Sequence, residues 1–211
     1  MSTTVADILD SVALRRGESS SPDNATEKRR RISFINKGYM AVLQKDTFWF
    51  TQKTDTVDSV ASQEIYTLPT DFREMDEVRV DDIIRNPIPD YTIFDTYRYP
   101  PMVLTSRYYG DQYYYIYGGD IHFIPVTPTT GTNTIQYRYF YWPTKLTATT
   151  DTILIPDQYV ECLTAYCEAR LNKLEGVRGD ASDAFDEFNE IVGEMIKENN
   201  RRKLSGVPLH P

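Results

Sequence analysis

Few residues in this chain have the types and spacing that chemistry needs. There are two histidines, His122 and His210, so a His-based metal site or a Ser-His-Asp triad would have to use one of them. His122 stands in Ile121-His-Phe-Ile124, a run that reads as a strand, where a half-buried structural histidine is the expected role. His210 sits beside the C-terminus, in a segment too loose to hold a reacting group. Cys162 and Cys167 lie five positions apart in a helical pattern. That separation is roughly 140° around the axis, poor geometry for a disulfide. Without further Cys or His ligands they read as small, half-buried thiols in a reducing compartment, not as a zinc site.

Gly118-Gly119 is not followed by Lys-Ser/Thr or a second spaced glycine, so a hairpin turn explains it better than a phosphate loop. The acidic pairs Asp76-Glu77 and Asp81-Asp82 hold groups that serve cation binding or acid–base chemistry. Adjacent strand residues point to opposite faces, however, so such pairs share a ligand poorly and read as solvated turns. No catalytic residue, metal ligand or cofactor is expected.

Charge and tyrosine are the features left to explain. The chain holds 23 basic and 31 acidic side chains, a net charge of −8, which argues against broad nucleic-acid binding. The distribution is polarised. Basic clusters at Lys28-Arg29-Arg30-Arg31 and Arg201-Arg202-Lys203 contrast with an acidic last helix carrying Asp183, Asp186, Glu187 and Glu190. Pairing of these clusters with acidic protein is the expected use, because the whole molecule is acidic. Sixteen tyrosines are present, most of them between Tyr91 and Tyr141. Tyr113, Tyr115 and Tyr117 share one face of a strand and Tyr114 lies on the other. One face must meet a core, so the other shows tyrosine to water, to a protein or to a sugar.

The elements that would carry these residues change period along the chain. Val5, Ile8, Leu9 and Val12 make one helical stripe with Thr3 or Thr4 as N-cap. Ile32, Ile35, Tyr39, Val42 and Leu43 make a second. From about Phe48 to Ile155 the period turns toward two, with strands at Glu64–Leu68, Glu77–Val80, Tyr113–Tyr117, Ile121–Ile124 and Thr134–Tyr141. Helices return with Val160, Leu163, Cys167, Leu171 and Leu174, closed by Gly176, and then with Ala181, Ala184, Phe185, Phe188, Ile191, Val192, Met195 and Ile196. The predicted class is α+β: a four-helix bundle built from both chain ends, with an inserted antiparallel β subdomain forming a small sandwich or barrel. The expected boundaries are 1–46 and 156–204 for the bundle, 47–155 for the β insertion and 205–211 for an extended tail. Neither a basic leader nor an apolar run of membrane-spanning length is present, so a soluble product of the cytoplasm is expected.

Beyond this, the order of motifs resembles a known family. Two helices are followed by Gln63-Glu-Ile-Tyr-Thr-Leu-Pro-Thr-Asp-Phe72 and Val78-Arg-Val80. Then come Ile121-His-Phe-Ile-Pro125, Tyr137-Arg-Tyr-Phe-Tyr-Trp-Pro143, Asp151-Thr-Ile-Leu-Ile-Pro-Asp-Gln-Tyr159 and two closing helices. The series resembles the head-to-tail adaptor (connector) proteins of tailed bacteriophages, the ring beneath the portal, over nearly the whole chain. The resemblance implies a structural virion protein of the neck, in a ring of twelve copies joining portal protein to a tail or nozzle protein. Genomic DNA would pass through the lumen without specific binding, and no membrane is involved. It also implies portal docking through the C-terminal segment, which maps to Arg201, Arg202, Lys203, Leu204, Val207, Pro208 and Leu209. Tyr113, Tyr115 and Tyr117 would face the tail side. Subunit contacts would join Lys28, Arg29, Arg30 and Arg31 to Asp183, Asp186, Glu187 and Glu190 of a neighbour. The stretch 82–109 is longer and richer in Pro and Tyr than this family leads one to expect. The rival readings are a tyrosine-rich carbohydrate- or surface-binding module of the virion and a virion hydrolase using an acidic pair.

Overall fold

The computed structural model describes residues 2–19, 22, 24–88, 113–124 and 130–205. The chain is α+β and divides into two compact units, one of residues 1–51 with 143–211 and one of residues 52–142. The division falls inside the expected limits of 47 and 155. The linking segments 47–51 and 143–155 belong to the helical unit because Phe48, Trp49, Leu146, Ile153 and Ile155 bury their side chains in its core.

In the helical unit, α1 (Val5–Arg15) begins where Thr4 and Asp7 form a reciprocal capping box that satisfies the first backbone donors. Its stripe Val5, Ile8, Leu9 and Val12 is buried throughout. The second helix, α2 (Ala25–Leu43), starts at Asn24, whose side chain accepts from the N–H of Thr26. After a short 3-10 turn at Asp157–Tyr159 comes α3 (Glu161–Glu175), which ends at Gly176 with φ +81°. Only glycine adopts that conformation readily, so the stop is local in origin. The last helix, α4 (Arg178–Ser205), has 28 residues, about 42 Å at ~1.5 Å per residue.

Helix α3 packs against α1, α2 and α4. It is therefore buried on nearly all sides, and small or polar residues such as Thr164, Ala165 and Ala169 sit in the interior beside Leu163 and Cys167. The expected single stripe on α3 was too narrow, and Leu174, assigned to it, is 62% exposed because it lies at the solvent end of the last turn. Gly38 of α2 explains one close approach. A Cβ there would sit 3.0 Å from the Tyr166 ring, so only hydrogen lets α2 meet α3 at this point. On its far side Tyr166 meets Phe185 and Phe188 of α4 edge-on, with centroids 5.6 and 5.1 Å away.

The N-terminal segment is tied to the segment entering α3. Val5 and Ala6 donate to Asp151 and Thr149, and Ile153 donates to the carbonyl of Thr3. One carboxylate, Asp157, bridges this join through Thr3, and two others, Asp7 and Asp151, fix the turns on either side of it. Hydrogen bonds from Thr4 lower Asp7, the N–H groups of Ala148 and Thr147 lower Asp151, and Thr3 lowers Asp157. A carboxylate depressed in the folded chain binds its proton less readily than in the unfolded chain. Its stabilisation is thus complete above the ordinary carboxylate range and disappears as pH falls through the depressed values. The melting temperature is expected to be flat from about pH 7 to 5 and to fall below about pH 4. Asp151→Asn should flatten the acid limb in a calorimetric series; an unchanged limb would show that other groups govern it.

Among the described residues, the second unit holds two four-stranded sheets. In the first, ordered β1-β8-β3-β4, β8 (Gly131–Tyr141) runs between β1 (Gln52–Ser59) and β3 (Phe72–Val80), and β4 (Ile83–Ile84) pairs with the end of β3. In the second, ordered β2-β7-β6-β5, β7 (Asp120–Ile124) lies between β2 (Ile65–Thr67) and β6 (Tyr113–Tyr117), while β5 (Asn86–Pro87) runs parallel to β6. All other pairings are antiparallel. One core joins the inner faces, with Tyr66, Tyr114 and Phe123 from one sheet against Val78, Ile135 and Tyr137 from the other. This is a small sandwich. The strand β1 was missed in the sequence because an edge strand with one apolar residue, Val57, has no alternation to read.

Candidate functional site

The basic run opens the first turns of α2, and the structure separates its members. Arg31 is 4% exposed. Its guanidinium binds Glu18 at 2.8 Å and Glu27 at 3.4 Å. Burial pushes this cation toward the neutral form, and the two carboxylates outweigh that, so it stays charged. Arg31, expected at the subunit contact, is thus an internal brace within its own subunit. Arg29 and Arg30 are exposed and Lys28 is half-buried.

The acidic helix divides in the same way. Glu187 accepts from Arg15 of α1 at 2.8 and 2.6 Å, which holds its carboxyl below the usual range. Arg15 also reaches Glu161 at 2.5 Å and Glu168 at 3.3 Å on α3, so one guanidinium ties three helices. Glu187 is therefore used inside the subunit as well, whereas Asp183, Asp186 and Glu190 are exposed.

At the C-terminal end of α4 the fully buried Asn199 accepts from the N–H of Trp49 at 3.3 Å. Its amide donates to Asp46 at 2.7 Å and to the carbonyl of Thr47 at 2.9 Å. Lys203 donates to Asp46 at 3.0 Å, and the Arg202 guanidinium lies 4.5 Å over the Trp49 ring. Burial pushes Asp46 up, and the donors Asn199, Lys203 and Thr47 N–H more than reverse this, leaving it below its ordinary value. Of the expected docking cations, Arg202 and Lys203 are held within the subunit. Arg201 is 79% exposed at its side chain and lies 3.8 Å from Glu198. Leu204 lies in α4, which also takes in Ser205, expected to begin the tail. Val207, Pro208, Leu209 and His210 lie outside the described residues.

The strand β6 does not display all its tyrosines. Tyr114 is buried in the sandwich core, as alternation requires. On the other face Tyr117 is 64% exposed, Tyr113 is half-buried and Tyr115 is only 8% exposed. Tyr115 is covered because His122 stacks on it at 4.3 Å and Ile88 packs beside it. His122 itself is half-buried and lies 3.7 Å from Glu64. Of the three tyrosines expected to form one displayed face, only Tyr117 is more exposed than half-buried among the described residues.

Asp81 and Asp82 occupy the tight turn between β3 and β4 with φ +52° and +64°. Asp76 pairs with Arg138 and Gln52, and Glu77 with Arg79 and Arg138. Among the described residues no group of three or more His, Cys, Asp or Glu is arranged to hold a metal ion. Cys162 and Cys167 are free thiols, fully and not half buried, and burial pushes both up to about 12. Neither thiol is expected to react with a disulfide reagent at pH 8 in the native protein, and both should react once denaturant is added. Rapid native labelling would contradict the packing around α3.

Sequence reasoning missed the two asparagines that hold the helical unit's joints. Asn36 of α2 bonds both the N–H and the carbonyl of Leu146, at 2.9 and 2.7 Å. An asparagine inside an apolar helical stripe is the signal that could have found it, and Asn199, four positions after Met195 and three after Ile196, carries the same mark.

What the geometry offers is charged helix faces and an anchored helix end, the equipment of a protein that binds other proteins. A family model described as SU10 adaptor protein matches residues 3–211. The chain therefore belongs to that family, among the head-to-tail adaptors of bacteriophages. No curated protein matches it.

Proposed function

We propose that this protein is a structural component of the virion neck, assembling as a ring of twelve copies that joins portal to tail and passes genomic DNA through its centre. The match of the adaptor family over residues 3–211 carries this reading. In it the four helices act as one bundle that docks on the portal, and the β unit with exposed Tyr117 faces the tail protein. The net charge of −8 disfavours adhesion of a sliding phosphate backbone. The test is to mix the purified chain with the portal ring of the same phage and record cryo-EM averages. A continuous ring of twelve copies under the portal is expected; a portal that stays bare overturns the reading.

Docking is assigned to Arg201 and the segment after Ser205. A chain ending at Ser205 and carrying Arg201→Glu is expected to bind portal at least about tenfold more weakly, equivalent to ~1.4 kcal/mol, with its melting temperature unchanged. Unchanged binding would move the docking surface elsewhere. Arg202 and Lys203 are excluded from this variant because they brace Trp49 and Asp46.

A further inference from the structure

The charges of the helical unit fall into two sets. Arg15, Arg16 and Arg31 pair with glutamates of the same subunit. Of the outward charges, Arg30 pairs with Glu27 of its own helix, and one exposed face on each of two helices carries a single sign. On α2, Arg30, Ser33, Lys37 and Met40 recur at spacings of 4, 3, 4 and 3 along the exposed face begun by Thr26. The only carboxylate of α2, Glu27, is turned to Arg30 and Arg31. Lys37 lies over the Phe34 ring at 5.6 Å and makes no ion pair among the described residues. On α4, Asp183, Asp186 and Glu190 recur at 3 and 4 on an exposed face, with no ion pair among the described residues, and Gly193 follows at the next 3.

Gly193 is unexplained by the subunit itself. It sits in the middle of a 28-residue helix, where glycine costs helix stability. A Cβ added to it would meet nothing within 4 Å among the described residues, whereas Gly38 is needed against Tyr166. The space over Gly193 is left for something outside the subunit.

We infer that a second copy of this chain fills it, laying its α2 parallel along this face of α4. The inference rests on the ring reading above, and the two faces complement each other in one register. Arg30 falls opposite Asp183, Ser33 opposite Asp186, Lys37 opposite Glu190 and Met40 opposite Gly193. Arg30 to Lys37 and Asp183 to Glu190 each span two helical turns, about 10.5 Å. The flexible thioether of Met40, 36% exposed, enters the gap that the glycine leaves. The two faces are different surfaces of one chain, so the contact is head-to-tail and repeats around a ring. Exposed ion pairs select the register more than they bind. The Met40–Gly193 seat supplies the close packing.

Assembly on the portal, followed by mass photometry and alongside melting curves, tests this. Arg30→Glu with Lys37→Glu is expected to lower ring occupancy at least about tenfold, and Asp183→Lys with Glu190→Lys to do the same. The chain carrying all four changes should recover occupancy, since the signs are exchanged. Gly193→Leu should melt no lower than the parent yet fail to assemble. Reversals that assemble like the parent, a quadruple variant without recovery, or Gly193→Leu rings of normal occupancy would each overturn the inference while leaving the ring reading in place. A parent chain that stays monomeric on the portal would remove both.

Discussion

Asn36→Leu is expected to destabilise the helical unit more than any surface change, by about 3 kcal/mol or more in urea unfolding. Asn36 is 6% exposed and spends its whole amide on backbone. Its Nδ2 donates to Ile32 and Leu146 carbonyls at 3.1 and 2.7 Å, and its Oδ1 accepts from Leu146 N–H at 2.9 Å. Leucine fills a similar volume, so the loss isolates the polar pairing and not a cavity. It leaves the N–H and carbonyl of Leu146, a residue 5% exposed, buried without their partner. Each such orphan costs about 1–3 kcal/mol. A loss under ~1 kcal/mol would show that the segment 143–155 repacks freely around α2. Ser33→Ala, one turn earlier on the exposed face, should change stability by less than about 0.5 kcal/mol and serves as the control.

Asn199→Leu is the second large effect, and it bears on assembly. Its three hydrogen bonds run to Trp49, Asp46 and Thr47, all about 150 positions away in sequence. Removing them is expected to cost about 2–4 kcal/mol. It also removes one of the donors that hold Asp46 below its ordinary value. Hydrogen exchange should speed up in the last two turns of α4 and at Phe48 to Thr51 before the rest of the unit responds. Because Arg201 and the following segment are the proposed portal contact, docking should weaken in step with that local opening. Uniform exchange across the unit would show that α4 is not anchored at this end. Intact docking despite local opening would separate the anchor from the portal surface.

How far the molecule is readable from its residues depends on the range of the interaction. The N-cap, expected at Thr3 or Thr4 and found at Thr4, the αL stop at Gly176 and the Gly118-Gly119 turn each depend on neighbours within a few positions. They stand where the sequence placed them. The α4 stripe was legible for the same reason, since 3.6 periodicity over many turns fixes a buried face without knowing what covers it. Where a helix is covered on several sides, as α3 is, periodicity fails, and Leu174 was assigned inward when it faces water. The strand β1 failed in the opposite sense. Its partner β8 holds it, and Lys53, Asp55 and Asp58 give no pattern of their own.

The site shows the same divide. The basic and acidic clusters and the polarity between chain ends could be read from order and composition, and so could the adaptor resemblance, because motif order is a property of the chain. Which charges remain outward could not. Arg31 finds Glu18, Glu187 finds Arg15, and Arg202 finds Trp49 only after helices distant in sequence meet. Tyr115 likewise lost its place on the surface to a histidine from the next strand. A side chain's type and local spacing set what it can bind. Only packing brings one partner close enough, and dry enough, to win it.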